Sequence, residues 1–582
     1  MISYRITPLN SHQHLLQVSL YFNNKNNNIS EIYLPNWTAG SYMIRDFCRH
    51  IVSITAKCDE KTVLLQQTHK NRWQTPPIAG KWCVEYVVYA FDLSVRGAFF
   101  DDERLFFDGA AVLMGVAGRE NESCKISFKL PKQVESIMAL SQIAAHTFTA
   151  DNYPALLDAP FVSGSLYTLS FSICGIPHKI VLSGDANEFE YLDHNRLTQD
   201  IAKICTQYIE LFGKAPFEQY TFILHITDNE YGGLEHRSSS SLIASRRCLP
   251  NIRYQNNRDD YVVLLGLFSH EYFHAWNIKS IKPAVFEYYD LQQEVYTSQL
   301  WAYEGITSYY DDLMLVRSEV ISHSEYLMLL LKNIDKVYQY SGRLLQSVAQ
   351  SSFEAWSKYY KQNENSPNAI TSYYQKGALV ALCLDLTIRH ATNNQHSLDD
   401  VMRLLFQRYL DGYGLTQDND WQTVAEKVSG CLLNDFFQRY IYGTEDLPLV
   451  DLLHHVGLSL RFQAGCRITL SDKLPPKEYH FNFGAKLDDV AGGKVIRFIA
   501  HNSLAEQAGL AVGDTIMAIN HCHVTEWNRV WQQIGINEEI SIHFFRQNRL
   551  KHTQFTVRPH YQQCPVMKIV NHNKVRQWLM NE

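Results

Sequence analysis

His270-Glu271-Tyr272-Phe273-His274 sets two imidazoles four positions apart with a carboxylate between them. On a helix, positions i and i+4 share a face. Both rings can therefore converge on one metal, with Glu271 beside them as a base for the attacking water. Val262, Leu265, Phe268 and Phe273 predict a buried helix over 262–277. With 24 histidines in the chain, such a string arises by chance in roughly 5% of similar chains, and a buried setting lowers that figure. A catalytic zinc takes three protein ligands and keeps one open position. Glu304, within Leu300-Trp301-Ala302-Tyr303-Glu304-Gly305-Ile306, is a lone carboxylate on an aromatic helix face. Burying it there is costly unless it is paired or bound to a metal, so it is the candidate third ligand. Asp311 and Asp312 read as a solvated face, or as partners that orient a ligand histidine.

The elements around these residues follow from periodicity. Residues 1 to about 165 alternate with period 2, as in Ile2-Ser3-Tyr4-Arg5-Ile6 and Val84-Glu85-Tyr86-Val87-Val88, and predict a sandwich or saddle-like sheet. From 170 to 260 strand and helix signals mix. Ile201, Ile204, Tyr208 and Leu211 mark a helix, and Tyr220 to Ile226 a strand. From 260 to 450 helices dominate: 264–277, 298–317, 325–340, 377–390 and 398–410 fit period 3.6. Ser397 and Asp400 signal the start of the last of these. Beyond 455 strands return, with a short helix at 526–534. The polar stretch 562–582 reads as a tail.

Composition narrows the class. At ~100–200 residues per domain, 582 residues predict three or four domains. The chain is 46% hydrophobic and 19% charged, which fits large cores and excludes a disordered protein. A net charge of -7 without blocks of like charge argues against nucleic-acid or membrane partners. No run approaches the ~18 apolar residues of a membrane span, and the start lacks the pattern of a signal peptide. The 12 scattered cysteines, with no Cys-x-x-Cys pair, read as free thiols in a reducing compartment, so the expected location is cytoplasmic.

HEYFHAWNIKSIKP (His270 to Pro283) together with WAYEGITSYY around Glu304 resembles the M61 glycyl aminopeptidase family, gluzincins with a thermolysin-like catalytic domain. LPNWTAGSYMIRDF (Leu34 to Phe47), YAFDLSVRGAFFDDERLFF (Tyr89 to Phe107) and YPALLDAPFVSG (Tyr153 to Gly164) look like that family's N-terminal β domain. There Ala39 stands where proline is expected, a departure in a domain read as structural. Gly232-Gly233-Leu234-Glu235-His236 is similar to the exopeptidase motif of the related M1 aminopeptidases. The resemblance implies that Glu235 binds the substrate's free α-amine, with Gly232 and Gly233 in the same subsite. An ammonium entering a dry cleft needs an anion at a fixed distance from the metal. Tyr373-Tyr374-Gln375-Lys376-Gly377 resembles the M1 Tyr-x-Lys-Gly motif, which implies that Tyr374 donates to the oxyanion. The competing readings are an ordinary turn with a surface glutamate, and a core or rim tyrosine.

Ser503-Leu504-Ala505-Glu506-Gln507-Ala508-Gly509-Leu510, followed by Val512-Gly513-Asp514, looks like a PDZ domain. Phe481-Asn482-Phe483-Gly484 is the candidate loop for a peptide carboxylate, so a C-terminal peptide is a candidate partner. A purely structural module is the alternative.

The expected architecture is multidomain α+β. Residues 1–168 form an N-terminal β-sandwich or saddle domain. Residues 169–454 form a thermolysin-like catalytic domain, 455–561 a PDZ-like domain and 562–582 a tail. The expected function is that of an aminopeptidase with one zinc per chain, acting on peptides with small first residues as the resemblance implies. Two alternatives stand beside it: an endopeptidase on the same site, and a PDZ-based scaffold whose zinc site is not catalytic.

Overall fold

The computed structural model describes residues 1–253, 258–464, 468–471, 482–558 and 563–581. The chain divides into two compact units. The first comprises Met1–Tyr296, Arg317–Val320 and Leu405–Thr416; the second comprises Thr297–Val316, Ile321–Leu404 and Gln417–Glu582. The division near residue 297 falls inside the segment expected as a single catalytic domain.

In the first unit, alternation builds the N-terminal β region. Along Gly80–Tyr89, Trp82, Val84, Tyr86 and Val88 are buried and their neighbours are not. This strand pairs antiparallel with Leu15–Asn24 and Ile51–Cys58 in an eight-stranded sheet. Ile2–Asn10 runs parallel to Cys124–Phe128 in the same sheet. Two four-stranded sheets accompany it.

A five-stranded sheet carries the site. Its strand order is Leu166–Ile173, Ile176–Ser183, Tyr220–Thr227, Ser239–Ser245 and Gly232–Glu235. The middle three strands are parallel. Tyr220–Thr227 is buried throughout, as a strand covered on both faces must be. Gly232–Glu235 forms the antiparallel edge. Helix His194–Phe212 begins where the Asp193 side chain accepts from the Arg196 N–H, and it ends at Gly213 with φ 70°. Glycine takes that left-handed position without strain. Its face of Ile201, Ile204 and Tyr208 is buried, as the period predicts. Helix Arg258–Phe273 is wedged among aromatic rings, Tyr208 against Phe273 at 5.2 Å and Phe222 against Phe268 at 5.0 Å. Burial of each such ring stabilises by about 1.5–3 kcal/mol.

In the second unit, Trp301–Gly305 is a π-helical turn that continues into helix Ile306–Arg317, where a regular helix was expected from residue 298. Helices His323–Tyr338, Gln375–Ala391 and Leu398–Leu410 follow. The last begins as expected, with the Ser397 N–H bonded to Asp400 Oδ2 at 3.0 Å.

A separate sheet contains Ala485–Val490, Gly493–Ile499, Thr515–Ile519, Glu539–Arg546 and Arg549–Thr556. It has its own core of Ile496, Ile516, Ile540, Ile542, Trp527 and Trp531. The helix expected at 526–534 is Trp527–Gln533.

The stretch read as a polar tail is instead strand Gln563–Ile569 and helix His572–Met580. The strand pairs antiparallel with Leu458–Ala464. Met567, Trp578 and Leu579 are almost fully buried, and Trp578 meets Tyr326 edge-on at 5.9 Å. These apolar residues are sparse along the chain and find their partners far away in sequence, so local composition hides them. The small sheet therefore starts at Ala485 and is flanked on both sides by one ladder. Every described cysteine is a free thiol, and no described helix is long and apolar enough to cross a membrane.

Candidate active site

Helix Arg258–Phe273 carries His270 and Glu271, and His274 sits in the turn just past its end. The His274 N–H still reaches the His270 carbonyl at 3.4 Å, which keeps the i, i+4 relation. The two imidazole rings meet edge to face, 4.7 Å apart. His274 Nδ1 lies 3.0 Å from the Asn277 carbonyl oxygen. A carbonyl only accepts, so Nδ1 carries the proton and the lone pair is on Nε2. That is the tautomer a metal-ligating imidazole needs, and it fits these residues to a zinc ion. The opposite face of the helix is locked: Tyr272 Oη is 2.8 Å from His178 Nε2, and Ser269 Oγ is 2.8 Å from Tyr208 Oη. His270 is half-buried, whereas Glu271 and His274 are buried.

The edge strand Gly232–Glu235 brings Glu235 to this helix. One ligand atom from each of Glu235, Glu271 and His274 lies within 4.8 Å of the others, and all three residues are buried. A β-carbon on Gly233 would fall 2.6 Å from Glu271 Cγ and closer still to its carboxylate. The strand backbone thus rests directly on the Glu271 side chain. Gly232 is under no such demand, since its nearest neighbours would be 3.8 Å away.

The N-terminal β region reaches into the same place. A β-carbon on Gly40 would lie 2.6 Å from Glu235 Oε1, and Arg96 Nη2 donates to the Gly233 carbonyl at 2.7 Å. Asp158 accepts from the Arg237 N–H at 2.9 Å and from Lys279 Nζ at 3.0 Å, with His236 Nδ1 at 3.4 Å. Burial alone would push the Asp158 carboxyl up, but Lys279 and His236 hold it well below the usual carboxylate range. Burial likewise opposes the Lys279 charge, and the Asp158 and Glu235 carboxylates overcome it. Nearby, burial pushes Asp108 up to about 6 and Tyr289 up to about 12.

In the second unit Glu304 is buried within the π-helical turn. Gly305 and Gly377 touch backbone to backbone: a β-carbon on Gly305 would fall 2.6 Å from Gly377 Cα, and one on Gly377 2.9 Å from Gly305 Cα. Tyr373 is fully buried and Tyr374 half-buried. Burial and the Glu304 charge raise the Tyr374 phenol well above the usual value, so it stays a proton donor.

In the candidate peptide-carboxylate loop, Phe481 lies outside the described residues. Phe483 packs on Trp527 and Trp531 at 4.8 and 5.0 Å, and the Gly484 N–H donates to Asn482 Oδ1 at 2.9 Å.

Sequence reasoning missed Gly40, Arg96, Asp158 and Lys279 as site residues. Their strings served only as marks of family likeness. The one local signal was a lone charge in an apolar run, as in Leu156-Leu157-Asp158-Ala159-Pro160 and Asn277-Ile278-Lys279-Ser280-Ile281.

The family model for the M61 glycyl aminopeptidase matches residues 263–380, and that for the peptidase M61 N-terminal domain matches residues 3–165. No curated protein matches the chain. Among solved structures, an aminopeptidase N family protein from Idiomarina loihiensis is 37% identical, with 100% of each chain covered and a TM-score of 0.94. A mutant M1 zinc metallopeptidase from Deinococcus radiodurans, bound to Tyr-Ser-Ala, is 12% identical. That match covers 77% of this chain and 94% of the other, with a TM-score of 0.46. The chain belongs to the M61 glycyl aminopeptidase family and is a zinc metallopeptidase.

Proposed function

We propose that the protein is an aminopeptidase that removes a small first residue, glycine or alanine, from peptides in the cytoplasm, with one zinc per chain. His270, His274 and Glu304 are the ligands this reading assigns to that ion, an imidazole–imidazole–carboxylate donor set. Zinc, when bound, polarises the scissile carbonyl and acidifies water. Glu271 takes the water's proton and later delivers one to the leaving amine. Tyr374 donates to the oxyanion. Glu235 anchors the α-ammonium and so sets the cut one residue from the amino terminus.

The observation that carries this reading is the buried group Glu235, Glu271 and His274, whose ligand atoms lie within 4.8 Å of one another. An anion beside the base is suited to holding an α-ammonium close to the scissile bond. The thermolysin-like character of the catalytic segment and the PDZ-like character of the 485–556 sheet belong to the same reading. We assign that sheet a supporting role. Asn368 Nδ2 donates to the Ile499 carbonyl at 2.8 Å, and Tyr340 meets Phe498 at 5.7 Å, which ties the sheet to other residues of its own unit.

The test is a panel of free and N-acetylated peptides, assayed with and without chelator. Hydrolysis confined to free amines and abolished by chelator is the expected result. Equal cleavage of acetylated peptides would move the endopeptidase reading ahead.

A further inference from the structure

We infer that Asp158 and Lys279 are positioning residues for the amine subsite: together they hold the end of the Glu235 strand in one fixed relation to the end of the metal-binding helix. The inference rests on the reading of Glu235 as the amine anchor.

Asp158 uses both carboxylate oxygens. Oδ2 takes the Arg237 N–H at 2.9 Å, two residues beyond Glu235. Oδ1 takes Lys279 Nζ at 3.0 Å and faces His236 Nδ1 at 3.4 Å. Lys279 is itself buried, and its own N–H donates to the His274 carbonyl at 3.1 Å. One residue thus links the segment carrying His274 to the carboxylate that clamps the strand of Glu235.

The backbone is bent to deliver it. Ile278, immediately before Lys279, has φ 100°, where a β-branched residue is strained. Strain of that kind persists only where surrounding structure over-determines it, often at functional sites. Here the Ile278 N–H is pinned to the Ile281 carbonyl at 2.7 Å. The ammonium also answers a charge problem. Asp158, Glu235 and Glu271 are carboxylates in one poorly hydrated region, and without a cation among them mutual repulsion would displace or neutralise one. Asp158 comes from the N-terminal part of the chain, so that part contributes directly to recognition of the substrate's first residue.

The experiment uses the full-length, zinc-loaded enzyme and alanine p-nitroanilide. Asp158→Ala and Lys279→Met are expected to raise KM about tenfold, as the loss of one charge-assisted contact would, with kcat within about threefold of wild type and zinc content unchanged. Lys279→Arg, which keeps the cation, is expected to restore most of the KM. If Asp158→Ala does not fold, the near-isosteric Asp158→Asn supplies the measurement. An unchanged KM, or an Arg variant as impaired as the Met variant, overturns the inference. Glu235→Ala separates the two levels. If it leaves KM unchanged, the amine-anchor reading fails and this inference fails with it. If it raises KM while the Asp158 and Lys279 variants do not, this inference alone fails.

Discussion

Gly40 lies directly behind the Glu235 carboxylate, with no space for even one methyl group between them. Its φ of 92° suits glycine and strains other residues. The Leu34–Phe47 segment, read from sequence as part of a structural domain, therefore packs against Glu235 and forms one wall of the proposed amine subsite. Ala39, the one departure from the family pattern in that segment, stands next to it.

His270→Ala and His274→Ala are each expected to release the zinc, because either change leaves two of three proposed ligands. The Asn277 contact with His274 comes from its backbone carbonyl, which Asn277→Ala keeps, so that variant is expected to retain zinc. Metal analysis of the purified variants decides the point. Full retention in both histidine variants would falsify the ligand assignment.

Glu271→Gln preserves shape and removes the proton acceptor. Turnover is expected to drop ~10²-fold or more, the usual scale for general acid–base catalysis, with zinc content unchanged. A variant turning over near the wild-type rate would take the base role away from Glu271.

The two glycines of the edge strand are expected to behave differently. Gly233→Ala forces the Glu271 carboxylate to move and is expected to lower kcat at least about tenfold, since small misplacements of catalytic groups are costly. Gly232→Ala meets nothing closer than 3.8 Å and is expected to keep near-normal kinetics. Equal effects of the two substitutions would mean that Gly233 does not abut the base in solution.

Burial raises the Asp108 carboxyl from 3.8 to about 6. Below the lower value both folded and unfolded states are protonated. Between the two values the folded state keeps a proton that the unfolded state has lost, so stability falls as pH rises through about 6. Asp108→Asn keeps an acceptor for the Ala110 N–H and removes the buried charge. It is expected to be more stable than wild type at pH 7, by up to roughly 2–3 kcal/mol, with the gap closing toward pH 4. Thermal melts across this range test it, and a gap that does not change with pH refutes it.

Truncation near residue 455 is expected to give insoluble protein, because it removes Leu458–Ala464, Gln563–Ile569 and the helix that buries Trp578. Replacing 472–560 by a short linker keeps that ladder and is expected to yield folded protein. Solubility and circular dichroism of the two deletions distinguish them. A soluble, fully active truncation at 455 would show that the C-terminal ladder is dispensable.

The parts legible from sequence share one property: their signal is local. His270-Glu271-x-x-His274 needs only a helix, and helix 398–410 declares itself through period 3.6 and Ser397. The roles proposed for Glu235 and Tyr374 come only from family likeness, because a carboxylate after two glycines and one tyrosine among 34 have no distinguishing spacing. Asp158 and Lys279 were not legible, since an ion pair between residues more than a hundred positions apart leaves no periodic trace. The strand at 563–569 escaped for a related reason: its partner begins at Leu458, and neither strand has a close-by turn to announce the pairing. The π-helical turn at Trp301–Gly305 shows the same limit, because π and α spacing differ too little over five residues.

The backbone contact between Gly305 and Gly377 has a mechanical consequence. Glu304 directly precedes one of these glycines, and Tyr374 lies one helical turn before the other. No side chain separates the two backbones where they cross. A side chain introduced at either glycine would force the two segments apart, and with them the Glu304 carboxylate and the Tyr374 phenol.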